Sequence, residues 1–227
     1  MTQDLAHKRP YLLASLIAGI SFPATWLFLP LDGGLIALVW KMAGVGLLVP
    51  FALHRHHVGE FVPLAIILAF YALGDGLIEF SMVAGALAFA VGHLVAIWLY
   101  FRHRRVGPTF SQKLLAIAIF LLTPVIAYGL PPTTDEAVQV AAYSVILAAM
   151  AAMAWSSNFP RYRVGLGAVL FVISDLLIFA ELGPLANSKV SGIAIWYLYY
   201  FGVLMIAVGV AQTLVKRGHY PEGEERD

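Results

Sequence analysis

The chain has 227 residues, 61% of them hydrophobic and only 12% charged, with a mean hydropathy of +0.84. A soluble domain carries about twice that charged share, so the composition describes a polytopic membrane protein. A net charge of +1 with no basic arm gives no surface for nucleic acid, and the absence of cysteine excludes disulfides, thiolate nucleophiles and Cys-based metal sites.

Lys8 and Arg9 precede an apolar run from Tyr11 to Leu29. The run is longer than the apolar region of a usual signal peptide and ends without a small-residue cleavage pattern, so it reads as a retained first helix. A spanning helix needs about 20 apolar residues, and eight segments qualify: 11–29, 34–53, 61–80, 83–101, 112–130, 136–155, 164–182 and 192–214. Turn-forming or polar stretches separate them, such as "PLDGG", "RHRRVGP" and "PPTTDE". The least marked break, Glu79 to Ser81, requires a very tight hairpin between helices three and four.

Basic residues test that count. With a cytoplasmic N-terminus, twelve of the fourteen Lys and Arg fall in inside segments, Lys189 is outside and Lys41 lies within helix two. Removing or adding one span destroys the segregation. The expected fold is therefore an all-α bundle of eight transmembrane helices with both termini cytoplasmic. Residues 1–215 form one transmembrane domain and 216–227 a polar cytoplasmic tail. The charge bias fits a bacterial inner membrane.

Ionisable residues inside a membrane are costly and therefore informative. Lys41, Asp75 and Asp175 each lie roughly 8–11 Å below the outer end of their helices, from the rise of 1.5 Å per residue. His93, on helix four, lies deeper. Tyr143 on helix six and Tyr197, Tyr199 and Tyr200 on helix eight occupy the same outer layer. Such a layer describes a shared polar cavity. A purely structural alternative pairs Lys41 with one aspartate to bridge helices. One lysine cannot neutralise two carboxylates, so at least one aspartate is expected to be protonated or hydrated. A general acid needs that, and so does a proton-coupled transporter.

"YALGDGLI" (71–78) aligns without gaps with "FVISDLLI" (171–178), 100 positions on, with small residues, Gly74 and Ser174, before each aspartate. A parallel four-plus-four repeat would place the two carboxyls at equal depth. On helix four, Gly85, Phe89 and His93 share a face at four-residue spacing. His93 is then either a hydrogen-bonded packing residue or a proton or phosphate partner at the cavity floor. "HRHH" (54–57) reads as an interfacial basic loop rather than a metal site. With one intramembrane histidine, no three-ligand zinc site is available, so no metal is expected. Glu79 and Glu181 read as hydrated boundary residues.

Lys41 in helix two, Gly74–Asp75 in helix three, Gly85/Phe89/His93 in helix four, Tyr143 in helix six, "GAVLFVISD" (167–175) in helix seven and Ala211–Gln212 in helix eight come in an order and spacing that resembles the YhhN-type lysoplasmalogenase family. Ala96 stands where an aromatic is expected three residues after the histidine, and Val208 and Gly209 where a tyrosine is expected before Ala-Gln, so the chain resembles a divergent member. The resemblance implies hydrolysis of the vinyl ether of a lysophospholipid to a fatty aldehyde and a glycerophospho-alcohol, without a cofactor. It points to Asp75 and Asp175 as catalytic. Lys41, His93, Tyr143, Ser174, Tyr199 and Tyr200 would support or bind substrate, and the hydrocarbon tail would lie between helices, open sideways to the bilayer. The partners expected are the lysophospholipid and membrane lipids. The rival readings are a proton-coupled transporter of a small molecule or lipid using the same carboxyls, and a lipid-binding or structural membrane protein in which the aspartates only pair with Lys41.

Overall fold

The computed structural model describes residues 9–27, 34–53, 58–186, 188 and 191–219. These residues form eight rods: α1 (Arg9–Ser21, with a short continuation Ala24–Leu27), α2 (Leu35–Gly46, resumed as Leu48–Leu53), α3 (Val58–Leu77), α4 (Met82–Arg102), α5 (Phe110–Tyr128), α6 (Thr134–Ser156), α7 (a π-turn Arg161–Gly165 running into Leu166–Glu181) and α8 (Ser191–His219). No strand occurs among the described residues. The loop 54–57, Lys189 and residues 220–227 lie outside them. Helix α8 continues to His219, past the expected tail boundary at 215.

Six rods are long and apolar enough to cross a membrane: α2 and α4 to α8. The apolar stretches of α1 (Pro10–Trp26) and α3 (Phe61–Leu77) are shorter than the expected spans. A proline breaks α1 within its stretch. Pro23 has no N–H to continue the ladder, and its ring clashes with the carbonyl four residues back, so α1 turns at Phe22 and Pro23. In lipid a released carbonyl must find another donor. Trp196 Nε1 of α8 donates to Gly19 O at 2.7 Å, and Tyr197 OH donates to Ile20 O at 3.0 Å. Pro50 acts likewise in α2, which is interrupted at Leu47.

Most sequential helices pack on one another, but α4 and α5 do not. The most extensive contacts join α5 to α6, α7 to α8 and α3 to α4, and α6 also packs on α4. The tight α3–α4 hairpin expected from the sequence is present: α3 ends at Leu77, and Ser81 caps α4 by accepting from Ala84 N at 3.3 Å. Helices α7 and α8 touch through glycine. A β-carbon on Gly167 would stand 2.6 Å from Gly202 O, and one on Gly202 would stand 2.6 Å from Gly167 O. At the opposite end from the α3–α4 turn, Asn158 N donates to His103 O at 2.7 Å and Arg105 N to Ser156 O at 3.2 Å, so the α4–α5 and α6–α7 connections hold each other. The core is apolar and continuous, built around Leu64, Ile67 and Leu68 of α3, Leu147 and Met150 of α6, and Val203, Ile206 and Val210 of α8. "Upper" below means the end bearing the α3–α4 turn.

Candidate active site

The upper ends of α2, α3, α4, α7 and α8 enclose a cavity of about 240 Å³. Asp75 and Asp175 both line it, with Lys41, Glu79, Ser174 and Tyr199. The two aspartates are buried, at 2% and 6% exposure. A buried carboxyl needs hydrogen-bond partners, and each aspartate receives one tyrosine hydroxyl. Tyr199 OH of α8 donates to Asp75 Oδ2 at 2.9 Å. Tyr143 OH of α6 donates to Asp175 Oδ2 at 2.8 Å.

Behind Asp175 the chain of contacts continues. His93 Nε2 lies 3.2 Å from Tyr143 OH, and Tyr71 OH lies 2.8 Å from His93 Nδ1. A tyrosine hydroxyl has one hydrogen. Tyr143 spends it on Asp175, so His93 donates from Nε2. In the neutral imidazole, Nδ1 then accepts from Tyr71. Every hydrogen in the series points toward Asp175. His93 is wholly buried and both its nitrogens are engaged. It is a support for Tyr143 behind the cavity, and neither nitrogen is free for a phosphate at its floor.

Lys41 Nζ contacts Glu79 Oε1 as an ion pair. The sequence reading offered an aspartate as its partner and took Glu79 for a hydrated boundary residue. Helix α3 ends at Leu77, so Glu79 sits in the turn and swings over the cavity rim toward α2. Ser174 reaches the cavity wall, but its hydroxyl donates to Ile195 O at 2.9 Å and so ties α7 to α8. Tyr200 is elsewhere. Its OH lies 3.1 Å from Ser15 Oγ, which donates to Gly44 O at 2.6 Å, so it joins α8 to α1 and α2.

Tyr71 escaped the sequence reading and supports His93, while Glu181, read as a boundary residue, lines the cavity with Trp196. A signal for Tyr71 existed. It stands four residues before Asp75 on α3, and Gly92 adjoins His93 on α4. A β-carbon at Gly92 would fall 2.6 Å from Tyr71 Cε1, so the glycine is what lets that ring reach the histidine. Below the cavity, Phe89, Tyr71 and Phe171 are in mutual ring contact and close its lower side. Among the described residues no three His, Cys, Asp or Glu side chains are grouped so as to hold a metal ion.

A helical, multi-pass integral membrane protein with two buried aspartates in one cavity is the class that fold and site define. The sequence profile of the YhhN family matches residues 36–210, and the chain belongs to that family. It is 29% identical over 152 residues to lysoplasmalogenase TMEM86B of Sus scrofa, a match covering 63% of this chain and 60% of the relative. The chain thus spans less than two thirds of the length of that curated relative. No solved structure matches it.

Proposed function

We propose that the protein is a membrane hydrolase that cleaves the vinyl ether of lysoplasmalogen-type lysophospholipids to a fatty aldehyde and a glycerophospho-alcohol. The observation that carries this reading is the pair Asp75 and Asp175 in one cavity, each fixed by a tyrosine hydroxyl from a different helix. Family membership and the name of the porcine relative point the same way.

Vinyl ether hydrolysis requires proton transfer to carbon, then addition of water. One aspartic acid gives its proton to the double-bond carbon remote from oxygen, which leaves an oxocarbenium ion. The second carboxylate stabilises that cation and takes a proton from the attacking water, as carboxyl pairs do in glycoside hydrolysis. The hemiacetal then collapses. Its hydroxyl proton returns to the first carboxylate, and the second carboxyl gives its proton to the departing glycerol oxygen. Both groups end as they began, and no further nucleophile is consumed.

The rim ion pair of Lys41 and Glu79 faces the lipid headgroup, with Lys41 nearest the phosphate. The ring contacts below the cavity favour access from one end, which suits an enzyme better than a transporter. Both termini face the cytoplasm of a bacterial inner membrane in this reading. Purified protein incubated with lysoplasmalogen should release aldehyde. Asp75→Asn and Asp175→Asn should each lower the rate by about a hundredfold or more, the scale of a lost general acid or base. Wild type inert on every vinyl ether lipid, or both variants fully active, would sink the assignment.

A further inference from the structure

A second space adjoins the cavity. Between α4, α6 and α7 lies a groove of about 570 Å³ with almost wholly apolar walls. Ala86 and Ala90 of α4 and Ala142 of α6 leave it open by their small size, and Phe179 of α7 closes its back. Polar side chains occur toward its upper end, where Glu136 and Gln139 begin α6. Its size is within the about 300–1,000 Å³ of pockets that bury a small-molecule ligand.

The groove is joined to the carboxyl cavity by two side chains. Tyr143 forms part of its wall, yet its hydroxyl is bonded to Asp175, which lines the cavity. Phe179 lies one turn above Asp175 on α7 and meets the Tyr143 ring edge-on at 6.0 Å. An apolar space and a polar space therefore share a wall that carries a candidate catalytic carboxyl. A single-chain ether lipid has the same division: the alkenyl ether is the point where hydrocarbon ends and headgroup begins.

We infer that the α4–α6–α7 groove holds the hydrocarbon chain of the lysolipid and that Ala86 and Ala142 set the chain length accepted. This rests on the hydrolase reading for its choice of lipid. A chain in the groove and a headgroup at the Lys41–Glu79 rim bring the ether to Tyr143 and Asp175. The occupant is one chain of a lysolipid, as the groove shares a wall with the polar cavity that would take the ether and headgroup. Bulk bilayer lipid is the competing occupant, and the test separates the two.

The experiment uses a non-cleavable, saturated alkyl-ether lysophospholipid bearing a diazirine near its chain terminus, photolysed with the full-length protein in detergent or nanodiscs. Adducts are located by mass spectrometry. The expected adducts fall on residues 82–90 and 139–146. Unlabelled alkyl lysophospholipid should displace them, and excess diacyl phospholipid should not. Ala86→Phe and Ala142→Phe, both on the groove wall and outside the closed core, should cut labelling by about tenfold. The same variants should raise KM for a sixteen-carbon vinyl ether while sparing an eight-carbon one. Melting temperature shows that each is folded; should one fail to fold, Leu87→Ala, which widens the groove, should extend the accepted chain instead. Adducts elsewhere, unchanged labelling in the filled variants, or equal displacement by diacyl lipid overturns the inference. Because the probe has no vinyl ether to hydrolyse, groove labelling in a protein that hydrolyses no vinyl ether upholds the groove and removes the reaction. Hydrolysis with adducts elsewhere removes the groove and leaves the reaction.

Discussion

Lys41 of α2 is paired with Glu79 of the α3–α4 turn, at the rim of the cavity whose floor holds Asp75. The cation is thus matched one-to-one by a carboxylate above the aspartates. Their side chains are 15% and 46% exposed, so the pair is accessible from the upper end and is modest in strength.

Opposite substitutions at this rim should act in opposite directions. Lys41→Met leaves the Glu79 carboxylate facing the lipid phosphate and should raise KM. Glu79→Gln releases Lys41 to the phosphate and should lower it. Each change should be on the order of fivefold or less, the scale of a partly exposed ion pair, with kcat moving less. Steady-state kinetics on one lysoplasmalogen species, repeated at high salt to screen the charges, checks both. Movement of KM in the same direction for both variants would contradict the rim assignment.

The Tyr143–His93 contact should behave as one unit. Tyr143→Phe removes the hydrogen that Asp175 receives. It also strands the buried His93 donor, at about 1–3 kcal/mol. We expect kcat to fall roughly tenfold to a hundredfold, the rate equivalent of about 1.4–2.7 kcal/mol of lost hydrogen bonding to the reacting carboxyl. His93→Gln should do less, and the double variant should be little worse than Tyr143→Phe alone, because the histidine acts through the tyrosine. Additive losses in the double-mutant cycle would show that His93 has its own role.

Neighbouring tyrosines of α8 should separate cleanly. Tyr199→Phe removes the hydrogen bond to Asp75 and should lower kcat. Tyr200→Phe removes only the contact with Ser15, which still holds Gly44 O. It should cost about 1 kcal/mol of stability and leave kcat unchanged. Thermal denaturation beside activity tells the two apart.

Gly92→Ala should fail for a nameable reason. Its methyl would stand 2.6 Å from the Tyr71 ring. Overpacking of this kind costs about 1–3 kcal/mol, and Tyr71 would leave His93. Adding Tyr71→Leu should recover the melting temperature without recovering the Tyr71–His93 bond. A Gly92→Ala protein as stable and active as wild type would disprove the close approach.

The elements that were legible in the sequence are those fixed by one-dimensional signals. Apolar length placed the eight rods, and buried charge marked Asp75 and Asp175. What the sequence left unread depends on rotation and on proline. Tyr199 and Tyr200 differ by about 100° around α8, so only one can face Asp75, and adjacency hid which. Glu79 stays half-exposed at the boundary as expected, but its pairing with Lys41 was not legible, because the point where α3 unwinds, at Leu77, decides whether it points outward or folds over Lys41. Pro23 breaks α1 inside its apolar stretch, which apolar length alone does not show. The tyrosines that hold the aspartates come from α6 and α8, which a four-plus-four repeat does not relate to each other. The site is therefore less symmetric than the aligned "YALGDGLI" and "FVISDLLI" stretches implied.

The broken end of α1 bears on how the chain assembles. Gly19 and Ile20 hand their carbonyls to Trp196 and Tyr197, and Ser15 meets Tyr200, contacts between 177 and 185 residues apart in sequence. Helix α1 thus depends on α8, which is made about 170 residues later. Until α8 enters the bilayer, those α1 carbonyls face lipid or borrow water at the interface, at a cost of several kcal/mol for each unsatisfied group. Docking of α1 therefore waits for α8 and for a few of its aromatic side chains. A ribosome that stalls before Ser191 leaves a membrane intermediate whose first helix has no settled place.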